Sequence, residues 1–421
     1  MLMLLQDANP RDLERAAALN HKVLFRQEAA ALGGQVFTAD GLEWTSGGVH
    51  FPSMVAFPEL EPETAGEKID HLMAYYLRHP PKGAGCWSLD PPQPSDLGVR
   101  LLARGFQPGW RPRWMALDLG AKHMSYPSPR GLSIAADNAS SLDHVRNLPY
   151  AQVIVPDPRM AELPGQWTRF VARLRGKIVA HSIVFLSTGS YGAAGIYHVG
   201  VVPGARHQGI GKAVTLAACD YAREKGYRYA VLNSTDQGRR TYEQLGFTTV
   251  GEGWTWWLLT DRLLAHPPSP GEVMLAEAIG RGDMETLERL RPVSMDLDRP
   301  LANRMTLMEL AVHCGQPGAA RWLADCGAAY SVLDAWDLGW KDEARQRLRE
   351  EPKAVNLLYG EWDKTLLHFA AERNDEELTR LALSAAPDLG LKDKAYRGTP
   401  IDWARHFGHS AIANLIASYS G

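Results

Sequence analysis

Arg206, Gly209 and Gly211 form an Arg-x-x-Gly-x-Gly turn, a spacing suited to holding a charged phosphate group on backbone amides. Glycine tolerates positive φ and lets a ligand come close to the chain. A helix starting at the turn adds about half a positive charge at its N-terminus, so a pyrophosphate is the expected guest. His198 and His181 stand nearby in sequence and titrate near neutrality, which makes them candidate proton acceptors. Two better-known phosphate loops do not fit: one needs Gly-x-Gly-x-x-Gly and a later acidic residue, the other Gly-x4-Gly-Lys-Ser/Thr.

The turn needs a strand before it and a helix after it. Tyr197 to Val201 reads as a strand ending at Pro203. Ala213, Val214, Leu216, Ala217 and Tyr221 follow a helical period over 212–225. A second segment follows at a suitable distance: Ala230-Val-Leu-Asn-Ser as a strand, then a helix through Tyr242 to Leu245-Gly246-Phe247.

Together the two segments resemble the acyl-CoA loop, fifth strand and fourth helix of the GNAT superfamily of N-acetyltransferases, over about residues 130 to 260. The resemblance implies acetyl-CoA as co-substrate and no metal. Its pyrophosphate would rest on the amides of His207, Gln208, Gly209, Ile210, Gly211 and Lys212, with Arg206 at the mouth of the loop. Val199, Gly200 and Val201 match the strand-four positions that bond the pantetheine. One freed N–H there points at the thioester oxygen and stabilises developing negative charge. Tyr242 matches the tyrosine that protonates the leaving thiolate, and a phenol of pKa about 10 carries its proton at pH 7. Asn233 and Ser234 follow strand five, where they bond either the pantetheine or the helix.

The acceptor side is less legible. Strand alternation puts His198 on the face opposite Tyr197, Val199 and Val201, so a water chain is favoured over His198 or His181 as the route for the amine's proton. Asp157 and Glu162 are weaker candidates. Trp167, Tyr191, Trp254, Trp256 and Trp257 either line an aromatic acceptor pocket or serve as core, and strand tryptophans are usually core.

Leu101 to Phe106 followed by Arg113 to Leu119 mirrors Gln244 to Phe247 followed by Trp254 to Leu259, which reads as a degenerate first copy of the same fold. Where the loop should bind an anion, this copy has Phe57-Pro-Glu-Leu-Glu-Pro-Glu-Thr-Ala, whose glutamates repel a pyrophosphate. After the Pro-rich break His266 to Gly271 the pattern changes to short helices. Thr306-Leu-Met-Glu-Leu-Ala, Thr365-Leu-Leu-His-Phe-Ala and Thr399-Pro-Ile-Asp-Trp-Ala resemble the opening of an ankyrin repeat. Ala278, Ala311, Ala335, Ala370 and Ala404 mark five units, the third of them shortened. The expected fold is therefore α/β (α+β): a tandem GNAT fold with mixed, largely antiparallel sheets, then an all-α ankyrin-repeat solenoid. The expected domains are 1–120 (degenerate copy), 130–262 (catalytic) and 272–421 (about five helix pairs).

With 421 residues, 45% hydrophobic, 22% charged and a net charge of -3, the chain has room for several cores and lacks the basic stripe of a nucleic-acid binder. Its four cysteines are too scattered for a disulfide framework or a zinc site. The N-terminus lacks a signal peptide's pattern and no window reaches a membrane span, so a cytoplasmic location is expected. The leading expectation is an N-acetyltransferase acting on a small-molecule amine, with a protein partner or homodimer contact through the repeats. The competing one is an interaction protein whose acetyltransferase domain is vestigial or protein-directed.

Overall fold

The computed structural model describes residues 3–39, 41–47, 52–121, 127, 129–151, 166–290, 296–360 and 362–419. The chain divides into two compact units, Met1–Ser269 and Pro270–Gly421.

The first unit is built on one mixed sheet. Its strands are β1 (Gln35–Ala39), β2 (Leu42–Ser46), β3 (Ser53–Ala56), β4 (Ala84–Leu89), β5 (Phe106–Pro108), β6 (Arg113–Asp118), β7 (Leu132–Ala136), β8 (Trp167–Leu174), β9 (Lys177–Leu186), β10 (Ala194–Val201), β11 (Tyr229–Ser234) and β12 (Thr248–Leu258). They run in the order β1-β2-β3-β4-β12-β6-β11-β10-β9-β8-β7, with β5 beside β12. Among the described residues the parallel pairs are β3–β4 and β10–β11.

The sequence reading separates 1–120 from 130–262, yet the sheet passes through both. β6 closes the first half in sequence but lies between β11 and β12 of the second. β12 in turn pairs with β4 of the first half. Each half thus lends its last strand to the other. Trp114, Met115, Ala116 and Leu117 on β6 are all buried, as expected for a strand covered on both faces. Glycines of the first half leave room for β12's tryptophans: a Cβ at Gly98 would stand 3.2 Å from the Trp256 ring, and one at Gly85 2.9 Å from Trp257.

Helix α1 (Pro10–Ala31) starts on a reciprocal cap between Asn9 and Asp12, with Pro10 in the first turn where its missing N–H costs nothing. It lies across one sheet face and packs on strands of both halves. Its Asn20 is fully buried. The side-chain amide donates to the carbonyls of Phe185 and Ala193 and to Ser187 Oγ, while Oδ1 accepts from the Tyr197 hydroxyl at 2.7 Å. This approach requires a glycine at 195, because a Cβ there would collide with Asn20 Oδ1 and the Tyr197 ring. Gly195→Ala should therefore lower stability by about 1–3 kcal/mol, as overpacking does, seen as a lower thermal midpoint. An unchanged midpoint would mean that Asn20 and Tyr197 can retreat at no cost.

On the other face, α4 (Ile210–Glu224) packs Ile210, Val214, Ala218 and Ala222 onto Ala180, Val184, Ile196, Ala230 and Leu232. Short helix α5 (Asp236–Glu243) begins at Thr235, whose hydroxyl accepts from the Gly238 amide. The remaining helices of this unit are α2 (Pro62–Arg78), α3 (Leu97–Ala103) and α6 (Thr260–Ala265).

The second unit consists of helix pairs: α7 (Pro270–Arg281) with α8 (Met284–Leu290), α9 (Leu307–His313) with α10 (Pro317–Asp325), α11 (Val332–Asp337) with α12 (Lys341–Glu350), α13 (Leu366–Arg373) with α14 (Glu376–Ser384), and α15 (Pro400–His406) with α16 (Ser410–Ala417). Every pair closes through the same turn. The carbonyls of Ala278, Ala311, Ala335, Ala370 and Ala404 each accept the N–H five residues on. Gly282, Gly315, Gly339, Asn374 and Gly408 supply the left-handed residue before it. Thr306, Ser331, Thr365 and Thr399 cap the first helices of four pairs reciprocally with Glu309, Asp334, His368 and Asp402.

No described helix is long and apolar enough to cross a membrane. Among the described residues no cluster of His, Cys, Asp or Glu has the makings of a metal site. No disulfide joins the cysteines among the described residues.

Candidate active site

β10 and β11 are joined only at Ala194–Ala230 and Gly195–Val231. Past that point their carboxyl-terminal ends part, leaving a gap in the sheet bordered by Ile196–Val201 and Leu232–Ser234. Two backbone features accompany the parting: a bulge between Tyr197 and Gly200, and a φ of +50° at His198. Glycine is needed at 200, since a Cβ would stand 2.5 Å from the Pro149 carbonyl and 3.0 Å from His181 Nε2.

The turn after β10 begins with a single helical turn at Pro203–Ala205 and carries two residues at positive φ, His207 (+60°) and Gly209 (+79°). Gly209 is the residue from which α4 starts, and no side chain caps that helix. Its first amides therefore face an anion without competition from an Asp or Ser oxygen. Arg206 Nε donates to the Val201 carbonyl at 3.2 Å and ties the turn to the strand end, while Gln208 Nε2 reaches the Gly204 carbonyl at 3.4 Å. Ile210 is buried and anchors the turn; Arg206, His207 and Gln208 are exposed. Gly211 and Lys212 are half-buried, and a Cβ at 211 would only touch Val201 at an ordinary 3.5 Å. Val199 and Val201 pack toward the α4 side.

The first half offers the contrast. β3 and β4 are its parallel pair, and they stay zipped from Ser53–Ala84 through Ala56–Trp87 with no parting. The helix that follows β3 starts at Pro62 beside Glu61 and Glu63. Among its described residues that half shows neither a parted parallel pair nor a glycine turn opening a helix.

Tyr242 sits on α5, half-buried, its ring edge-on to Phe247 at 5.9 Å. Burial, with the Tyr150 phenol and Cys219 adding, pushes its pKa well above that of a free phenol, so it holds its proton throughout the working pH range. Tyr150 bridges to the bulge, since its ring is 5.3 Å from that of His198. The parted strands thus bring Tyr242, Tyr150 and His198 to one place.

The bulge also removes the argument from alternation. With the two-residue period broken, Tyr197 packs under α1 while Val199 and Val201 pack toward α4, so the three no longer share a face opposite His198. Its Nδ1 is sealed from solvent and has no partner, and burial, with His181 adding, lowers its pKa to about 4. His181 is fully buried and bonds the Pro149 carbonyl through Nε2 at 2.7 Å, which marks it as a support for that loop. Asp157 and Glu162 lie outside the described residues.

Among the described side chains, Asn233 and Ser234 find their partners away from α5. Asn233 Nδ2 faces His21 Nδ1 of α1 at 3.3 Å, and Ser234 Oγ turns to the Met115 sulfur. His21 is buried among aromatic rings, Phe25 at 4.3 Å, Trp87 at 4.7 Å and Tyr197 at 5.0 Å. Desolvation, with His198 adding, drops its pKa to about 3. The aromatic residues named from sequence lie elsewhere. Trp167 joins a core cluster under α1, Trp256 and Trp257 fill the seam between the halves, Trp254 carries Arg111 on its face and Tyr191 carries Arg15. His21 and Tyr150 escaped sequence reasoning because a lone histidine in an amphipathic helix and a loop tyrosine give no spacing signal.

Residues 142–247 match the family model for the acetyltransferase (GNAT) family, so this segment is a GNAT acetyltransferase domain; that family uses acetyl-CoA. Among solved structures, the chain is similar to a GCN5-related N-acetyltransferase from Kribbella flavida at 18% identity, covering 57% of this chain and 95% of that one, with a TM-score of 0.44. A GCN5-related N-acetyltransferase from Sphaerobacter thermophilus is similar at 15% identity, with 60% and 96% covered and a TM-score of 0.38. A tandem GNAT protein from the clavulanic acid biosynthesis pathway is similar at 15% identity, with 51% and 77% covered and a TM-score of 0.39. No curated protein matches the chain.

Proposed function

We propose that the chain is an acetyl-CoA-dependent N-acetyltransferase that acetylates a small-molecule amine directly in a ternary complex, using the second half of the sheet. The observation that carries this reading is the contrast between the two parallel strand pairs. One is parted and followed by an uncapped glycine turn; the other is zipped and followed by glutamates.

Bound acetyl-CoA would supply the acetyl group and a thiol as leaving group. The amides of residues 207–212 and Arg206 hold its pyrophosphate, and its pantetheine lies along the parted edge at Val199, Gly200 and Val201. Tyr242 holds a proton at Oη for the departing sulfur. A group that already gives up its proton near pH 4 is a poor resting place for the amine's proton. That favours water over His198 as acceptor.

Calorimetry with acetyl-CoA, then thiol release over an amine panel, tests the proposal. One site with thiol release supports it. No binding overturns it.

We also read the second unit as an ankyrin-repeat stack that recruits a protein partner or a second copy. Its five identical alanine-carbonyl turns support this, because such pairs bury their apolar faces only by stacking. Residues 1–265 are then expected to fold alone, bind acetyl-CoA and keep activity on a free amine, as circular dichroism, calorimetry and thiol release would register. An insoluble fragment beside a well-behaved full chain would count against an independent module.

A further inference from the structure

His21, Phe25 and Glu28 stand at i, i+4 and i+7 on α1, along one helix face. The first of them meets the gap between β10 and β11 through Asn233. Phe25 continues the wall, with Trp87 5.8 Å away. Glu28 ends it, only 7% exposed, in electrostatic reach of Tyr197. No hydrogen bond or ion pair reaches its carboxyl among the described residues, and no free cation stands beside it. The Tyr197 hydroxyl donates to Asn20, Gln27 Nε2 bonds Gln166 while its Oε1 and the Trp167 indole N–H stay without partners, and Arg26 pairs with Glu43 at 3.7 Å. Ile183, Phe185 and Trp167, which pack under this end of α1, do not titrate. A carboxyl group buried with no cation beside it, on a helix face lined by rings, suits a protonated nitrogen, which the ring faces also attract.

We propose that Glu28 binds a second, protonated nitrogen of the acceptor, so that the acceptor is a diamine whose far nitrogen sits on Glu28 while the near one reacts at the parted strands. This rests on the acetyltransferase reading. Two facts separate the two nitrogens. The attacking amine must be neutral, and seven residues of helix place Glu28 about 10 Å along α1 from His21. The first half of the chain then supplies the acceptor's recognition wall, although it binds no cofactor.

Burial alone raises the Glu28 carboxyl to about 8, so it is mostly protonated at pH 7. Of the titratable and charged groups on the elements packed here, Tyr197 on β10 is in electrostatic reach of Glu28, His21 on α1 and His198 in the bulge reach each other, and Arg26 on α1 pairs with Glu43 on β2. His21 and His198 are neutral at that pH, and Tyr197 stays protonated. Binding a cation therefore expels the carboxyl proton to solvent, and affinity rises with pH up to about 8.

The experiment compares α,ω-diaminoalkanes of increasing length with the matched monoamines on the full chain, as wild type and Glu28→Gln. Wild type should favour diamines of the right length at least tenfold in kcat/KM. Glu28→Gln should bring the ratio to about one while acetyl-CoA affinity is unchanged, which shows that the variant is folded. Calorimetry of the best diamine at pH 7, in buffers of different ionisation enthalpy, should register release of close to one proton more for wild type than for Glu28→Gln, any proton shed by the near nitrogen being common to both. Equal use of monoamines and diamines, or a preference that survives Glu28→Gln, overturns the proposal. Should no amine release thiol, the acetyltransferase reading fails separately. Diamine binding with that extra proton release, lost in Glu28→Gln, then still supports Glu28 as the cation site, and its absence overturns it.

Discussion

Gly209→Glu is expected to abolish acetyl-CoA binding while leaving the protein folded. Position 209 has φ of +79°, where any L side chain is strained, and it opens a helix whose first amides have no competing side-chain acceptor. A carboxylate placed about 4 Å from a pyrophosphate charge costs about 4 kcal/mol at an effective dielectric of about 20, which is about 10³-fold in affinity. Gly209→Ala separates the contributions, since it brings the strain without the charge and should weaken binding far less. Calorimetric titration, with thermal melting to confirm folding, reads both. If Gly209→Glu bound acetyl-CoA as tightly as wild type, the pyrophosphate would have to lie elsewhere.

Tyr242→Phe is expected to lower turnover by about 10²-fold with cofactor affinity little changed. The change keeps the ring against Phe247 and removes only the proton that Oη would hold. Because burial raises the pKa of this phenol, Tyr242 keeps its proton into alkaline pH and sets no alkaline limit on the wild-type rate. Thiol release measured where chemistry limits the rate is the check. Equal turnover in the two proteins would leave Tyr242 a packing residue.

The glycine turn before α4 was legible because its requirement is local: a left-handed glycine and a helix start must follow each other within a few residues, so sequence spacing carries them. The helix pairs were legible for the same reason, through an alanine and a left-handed turn residue at each closure. His198 was misplaced because a bulge has no signature in the side chains around it, and one inserted residue reverses every later face. The strand exchange was hidden because Trp114 to Leu117 announces a strand covered on both sides without naming its neighbours. The wall behind the gap joins His21 to Asn233 across most of the first unit. No periodicity or motif spans such a distance.

The exchange of β6 and β12 also bears on how the chain is made. As the first half leaves the ribosome, β4 has no β12 to pair with and β6 has neither of its neighbours, so the two strands wait with open edges until residue 258 has emerged. Pairings of such long range form late and slowly, which makes the nascent chain most prone to aggregate in that interval. The same interlock means that cutting the finished protein between 121 and 130 would not release two halves. The fragments would stay clasped through strands that each had given to the other.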